Sequence, residues 1–179
     1  MSPRVAACPT IVLTIGHSTR SLKELLELLE AHGVEQLADV RTIPRSRHNP
    51  QFNRESLAGK LRRAGIGYTH MPALGGLRHP RPDSPNQGWR NASFRGFADY
   101  MQTPEFGAGI VALIDAAVSA RTVIMCAEAV PWRCHRSLIA DALLVRGVEV
   151  CEISSAVRAR PLVLTPWARV EGTHIVYAA

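Results

Sequence analysis

The stretch IVLTIGHSTRSLKELLELLEAHG, residues 11–33, decides the fold. Ile11–Ile15 is a short apolar run that breaks at Gly16-His17-Ser18, the pattern of a buried parallel strand feeding a turn. Ser21 and Glu24 stand three apart as a capping box. Leu22, Leu25, Leu26 and Leu29 then fall on one helical face, and Gly33 stops the helix.

The same alternation recurs along the chain. Gln36–Arg41 reads as a second strand, with Asp39 and Arg41 at its end. Thr42–Phe52, with Pro44 and Pro50, is a loop. Asn53 is placed to cap a helix running to about Ala64, ended by Gly65. Ile66–Met71 is a third strand, followed by a long Gly/Pro-rich loop from about Pro72 to Asn91. Ser93–Met101 forms a short helix, and Pro104 opens the next, whose buried stripe is Phe106, Ile110, Leu113, Ile114 and Ala117. Thr122–Met125 is a fourth strand ending at Cys126. A helix from about Cys134 to Arg146 packs through Leu138, Ala142 and Leu143, and Val148–Ile153 is the fifth strand. A hairpin at Arg169–Tyr177 turns at Glu171-Gly172. The expected architecture is therefore one α/β domain over residues 1–179, with a core at about 10–155 and a C-terminal extension at 156–179. Its sheet is mostly parallel, five-stranded and Rossmann-like, with helices on both faces and right-handed crossovers.

Composition narrows the function classes. Of 179 residues, 46% are hydrophobic and 20% charged, which excludes the disordered class. No run of about 18 apolar residues could cross a membrane. The first ten residues, MSPRVAACPT, lead straight into a core strand rather than forming a leader peptide, so a cytoplasmic location is expected. Cys8, Cys126, Cys134 and Cys151 are scattered with no CxxC pair, which spells neither a disulfide framework nor a structural zinc motif. The net charge of +6 is uneven: residues 41–95 hold eleven Arg or Lys against Glu55 and Asp83 alone. Such a field attracts anions, making a small anionic ligand or a nucleic acid the expected partner. Nineteen of the 21 basic residues are Arg, which also fits a codon bias that leaves a merely solvated basic face.

In a parallel sheet, ligands bind outside the carboxyl ends of the strands, and three clusters sit there. They are Gly16-His17-Ser18; Asp39-Val40-Arg41 with Pro44, Arg45 and Ser46; and CAEAVPWRCHR from Cys126 to Arg136. The third has the layout strand, Cys, loop, Arg, helix N-terminus, where free N–H groups favour an anion or a thiolate. Arg41, Arg45, Arg133 and Arg136 could grip a phosphate in two-pronged contacts. Ser18, Asp39, Ser46 and Cys134 complete the expected binding set. Glu128 is the candidate acid–base, with His17 or His135 assisting and Cys126 as an alternative nucleophile. Against the nucleophile stand the six residues between Cys126 and Arg133, more than phosphatase or rhodanese-like loops use, and a loop without glycine. A metal held among His17, Cys126, Glu128, Cys134 and His135 would suit zinc or iron, but no compact spacing assigns ligands, and the sequence names no cofactor. Trp89 and Trp132 lie in loops and could stack on a ring.

Several of these motifs, in this order, resemble a bacterial family called domain of unknown function 488. They are TIGHS at 14–18, DVRTIPRS at 39–46, HMPALGG at 70–76, FADYM at 97–101, CAEAVPWRCHR at 126–136 and TPWARVEG at 165–172. The resemblance implies a compact prokaryotic α/β protein without an assigned activity. Its characteristic positions fall on His17, Ser18, Asp39, Arg41, Pro44, Ser46, Gly75, Gly76, Cys126, Glu128, Cys134, His135 and Arg136. Three readings follow for the function: an enzyme on a phosphate-bearing substrate such as a nucleotide, a cysteine-dependent phosphatase or sulfurtransferase-like enzyme, and a non-catalytic nucleic-acid-binding module.

Overall fold

A computed structural model describes residues 9–179; the N-terminal segment 1–8, with its reading as a non-leader and with Cys8, lies outside the described residues. The strands of the main sheet are β1 (Ile11–Gly16), β2 (Gln36–Asp39), β3 (Gly67–His70), β4 (Thr122–Cys126), β5 (Glu149–Ser155) and β6 (Arg158–Pro161). They lie in the order β3-β2-β4-β1-β5-β6. The first five are parallel, as expected from strands joined through helices. The sixth, β6, is antiparallel to β5 and adds an edge strand to the expected five. Its sequence, RARP, carries no apolar alternation and ends in a proline, which only an edge tolerates.

Among the described residues five helices clothe the sheet: α1 (Leu22–Ala31), α2 (Arg54–Arg63), α3 (Ala92–Tyr100), α4 (Pro104–Ser119) and α5 (Arg136–Leu144). Successive residues of a strand point to opposite faces, and the core divides accordingly. On one face Leu25 and Leu29 of α1 and Leu57 and Leu61 of α2 pack with Leu13, Ile15, Leu37 and Val123. On the other, Phe97 of α3, Ile110 and Leu113 of α4 and Leu138 of α5 pack with Val12, Ala38, Ile124 and Val150. No helix among the described residues is long and apolar enough to cross a membrane.

Three of the five helices begin on a side-chain cap, Ser21, Asn91 and Thr103, while α2 and α5 have none. The Ser21 hydroxyl accepts from the Glu24 amide at 3.1 Å and the Glu24 carboxylate from the Ser21 amide at 2.6 Å, closing the capping box. Asn53 precedes α2 but does not cap it; its Oδ1 accepts from the Ser46 amide at 2.7 Å and pins the preceding loop. α3 starts one residue before Ser93 because Asn91 caps it, accepting from the Ser93 and Phe94 amides.

The long loop between β3 and α3 is held rather than loose. Buried Asp99 accepts from the Arg81 amide, the Ser84 hydroxyl and the Asn86 side chain, at 2.6–2.8 Å. The C-terminal extension folds back after β6 and forms the hairpin β7 (Arg169–Glu171) and β8 (His174–Val176), turning at Gly172 with φ +62°. Tyr177 then buries itself completely against the body of the domain.

Candidate functional site

β1 and β4 are neighbours, yet the chain leaves them for helices on opposite faces of the sheet. This reversal is where open α/β sheets form their crevice. Here the backbone stitches the crevice shut. The His17 amide donates to the Cys126 carbonyl and the Ser18 amide to the Ala127 carbonyl, both at 2.9 Å. Gly16 makes this approach possible, because a Cβ there would lie 1.8 Å from the Glu128 carbonyl oxygen. Ser18 takes a left-handed φ of 48° to complete the turn.

Behind the stitched turn lies a buried polar network. Arg41 grips Asp39 in a two-pronged pair, Nε to Oδ1 at 2.8 Å and Nη2 to Oδ2 at 2.6 Å, and donates to the Phe52 carbonyl at 2.8 Å. Tyr68 donates to Asp39 at 2.6 Å; burial, helped by this bond, holds its phenol above the usual range. His17 stacks on Phe52 with ring centroids 4.2 Å apart. Its Nδ1 meets the Ser18 carbonyl at 2.9 Å, and Arg41 Nη1 approaches its Nε2 at 3.4 Å. A carbonyl only accepts and a guanidinium only donates, so the imidazole is neutral with its proton on Nδ1. Burial and the Arg41 charge hold its pKa down accordingly.

Arg136 is the largest fully buried side chain. It donates to the Thr14 hydroxyl at 2.7 Å, to Glu152 at 3.1 Å and to the Glu128 carbonyl at 2.7 Å. Burial raises the Glu152 carboxyl, and Arg136 opposes that rise. Arg41 and Arg136, offered by the sequence as phosphate contacts, point their guanidiniums inward onto protein acceptors. Thus His17, Asp39 and Arg41 form one buried frame behind the rim, and Arg136 forms a second with Thr14, Glu152 and the Glu128 carbonyl. Arg45 is exposed on the loop after β2, and the Ser46 hydroxyl accepts from the Asn49 amide at 3.0 Å to shape that loop. Neither these two nor Ser18 lines the cleft described next.

That cleft, about 350 Å³, is lined by Cys126, Glu128, Arg133, Cys134 and His135, with Gly76 and residues around Ser93 opposite. A single 3-10 turn at Pro131–Arg133 folds the chain back, its last amide bond running from Cys134 to the Pro131 carbonyl at 2.9 Å. This return brings Cys134 beside Cys126 although eight positions separate them. The Cys134 sulfur lies 3.6 Å from His135 Nδ1, and His135 Nε2 lies 2.8 Å from the Val40 carbonyl. The two sulfurs lie within 4.8 Å of each other, and the interaction between the thiols pushes Cys126 up and Cys134 down. Burial adds to the rise at Cys126, while the Arg136 charge helps lower Cys134. Glu128 and Arg133 are exposed on the cleft wall, and Arg133 makes no ion pair among the described residues. Gly76 leaves room for the imidazole, since a Cβ there would sit 3.0 Å from His135 Nδ1. Gly76, Ser93 and Asn91, in the long loop and the start of α3, reach this cleft from 30 or more positions away in the chain. Among them sequence reasoning singled out only Gly76, through the family motif.

The family model described as "Domain of unknown function DUF488" matches residues 21–143. The chain belongs to the DUF488 family. No curated protein and no solved structure matches it. In this DUF488 chain the family motifs at Asp39–Ser46 and Cys126–Arg136 divide between the buried frame and the open cleft.

A second cavity of about 470 Å³ gathers all three tryptophans, Trp89, Trp132 and Trp167. Trp89 packs against Phe94, Trp167 and Tyr177 with centroids 4.9–5.4 Å apart, covering the core, while Trp132 is exposed. Its one carboxylate, Asp141, is engaged by Thr165 and Tyr177. It offers shape without reactive groups.

Proposed function

We propose that the protein is an enzyme acting on a small anionic substrate, a phosphate-bearing molecule foremost, in the cleft above Cys126, Cys134 and His135. One observation carries this reading. A guanidinium without an ion pair among the described residues, Arg133, and a carboxylate, Glu128, stand exposed on the wall of a cleft whose floor holds two thiols and an imidazole. Arg133 supplies the anion contact and Glu128 the proton transfer. Part of the basic stretch 41–95, from Gly76 to Phe94, forms the opposite wall of the cleft, and a basic field of that kind draws anions. The test is turnover of a panel of nucleotides, sugar phosphates and short oligonucleotides by the wild type, Arg133→Ala and Glu128→Gln. Turnover lost in Glu128→Gln, with weakened KM in Arg133→Ala, supports the reading. Oligonucleotide binding that falls steeply with salt and ignores Glu128→Gln, with no turnover of any panel member, overturns it in favour of a binding module.

The 3.6 Å approach of Cys134 Sγ to His135 Nδ1 favours a second reading, in which Cys134 is a nucleophile paired with a base. Acid quenching during turnover distinguishes the two, because only this second reading leaves a covalent adduct on Cys134.

A further inference from the structure

We propose that Cys126, Cys134 and His135 bind a thiophilic divalent cation, zinc foremost, with one coordination position open to the cleft. The two sulfurs and His135 Nδ1 all lie within 4.8 Å of one another. In a tetrahedral zinc site with Zn–S about 2.3 Å and Zn–N about 2.0–2.1 Å, a sulfur and a nitrogen ligand stand about 3.6 Å apart. The Cys134 Sγ to His135 Nδ1 distance is 3.6 Å.

The imidazole is presented in the form a cation needs. The Val40 carbonyl can only accept, so His135 Nε2 carries a proton and donates to it at 2.8 Å. This leaves the Nδ1 lone pair turned toward the sulfurs. A backbone carbonyl on the far nitrogen is the usual partner of a ligating histidine, fixing its tautomer and ring angle. Gly76, close against Nδ1, keeps that edge of the ring clear of any side chain.

Two sulfurs and one imidazole select a borderline-soft ion over magnesium or calcium. All three ligands line the same open cleft as Glu128 and Arg133. Three protein ligands with an open fourth position are the pattern of a catalytic rather than a structural zinc site. The cation would act as a Lewis acid toward an anion held by Arg133, with Glu128 placed to carry a proton. This deepens the proposed function and rests on reading the cleft as an active site.

The test uses the full chain, reduced and stripped with a chelator, then titrated with cobalt(II) as a spectroscopic stand-in for zinc. The expected result is one cobalt per chain, with a thiolate-to-cobalt charge-transfer band and the intense visible bands of a tetrahedral ion, erased by equimolar zinc. Cys126→Ser, Cys134→Ser and His135→Gln should each bind at least about a hundredfold more weakly, while Cys151→Ser binds as wild type. Zinc added to the wild type should shield Cys126 and Cys134, but not Cys151, from alkylation, a readout independent of how the variants fold. Octahedral cobalt spectra, or alkylation of Cys126 and Cys134 undiminished by zinc, would overturn the site. Metal binding without turnover of any anionic substrate would leave the site standing and sink only the proposed enzyme.

Discussion

Tyr177 donates its phenolic hydrogen to Asp141 at 2.7 Å across 36 positions of chain, and both side chains are buried. The bond ties the C-terminal extension to α5, the helix whose N-terminal end carries the cleft. Asp141 also accepts from the Thr165 amide at 2.9 Å. Burial nevertheless keeps its carboxyl above the ordinary range, with these two bonds opposing the rise. Because the folded value is the higher one, the unfolded chain loses this proton first. The contribution of Asp141 to stability is therefore full below the ordinary carboxylate value of about 3.9 and is lost as pH rises through the folded value. Urea unfolding from pH 3.5 to 7 should show this decline in the wild type and a shallower one in Asp141→Asn. Identical slopes would remove Asp141 from the account.

Arg41 and Arg133 should respond in opposite ways to loss. Arg41→Ala leaves Asp39 buried without its cation, at a cost of about 3–5 kcal/mol, read as a large drop in the unfolding midpoint. Arg133→Ala should change stability by less than about 0.5 kcal/mol while weakening anion binding. Equal destabilisation by the two would contradict the division into frame and cleft.

Gly16→Ala sets a Cβ against backbone, 1.8 Å from the Glu128 oxygen and 2.7 Å from its carbonyl carbon. Backbone cannot swing aside as a flexible side chain does, so the β1 and β4 turns must separate. The expected loss exceeds about 3 kcal/mol and takes cobalt binding with it. A variant with native stability would show that the stitching is dispensable.

Asp99→Ala removes the acceptor of three donors and should release the loop between β3 and α3. Limited proteolysis should then cut within residues 78–90, where the wild type resists, with a stability cost of about 3 kcal/mol. Resistance equal to the wild type would mean that the loop is held by something else.

Where the deciding contacts lie within four residues, the sequence was legible. The Ser21–Glu24 box, the leucine face of α1 and the parallel strands were all readable from spacing. β6 was not, because an exposed edge strand needs no apolar alternation, and RARP gains its conformation only by pairing with β5. Asn53 looked like a cap because it precedes a helix, but Ser46 offered its side chain a better donor. The candidate site was half legible. The strand-end rule found the right rim, yet could not tell a buried Arg41 from an exposed Arg133.

By itself the sequence determined the alternation of strand and helix, the family, and the edge of the sheet where polar residues gather, since periodicity and turn chemistry act locally. Only the tertiary structure decided which arginines scaffold and which face solvent, because a guanidinium turns inward only where buried acceptors wait for it. Packing likewise drew Cys126, Cys134 and His135 into one cluster, through a single turn of chain and a glycine from a distant loop.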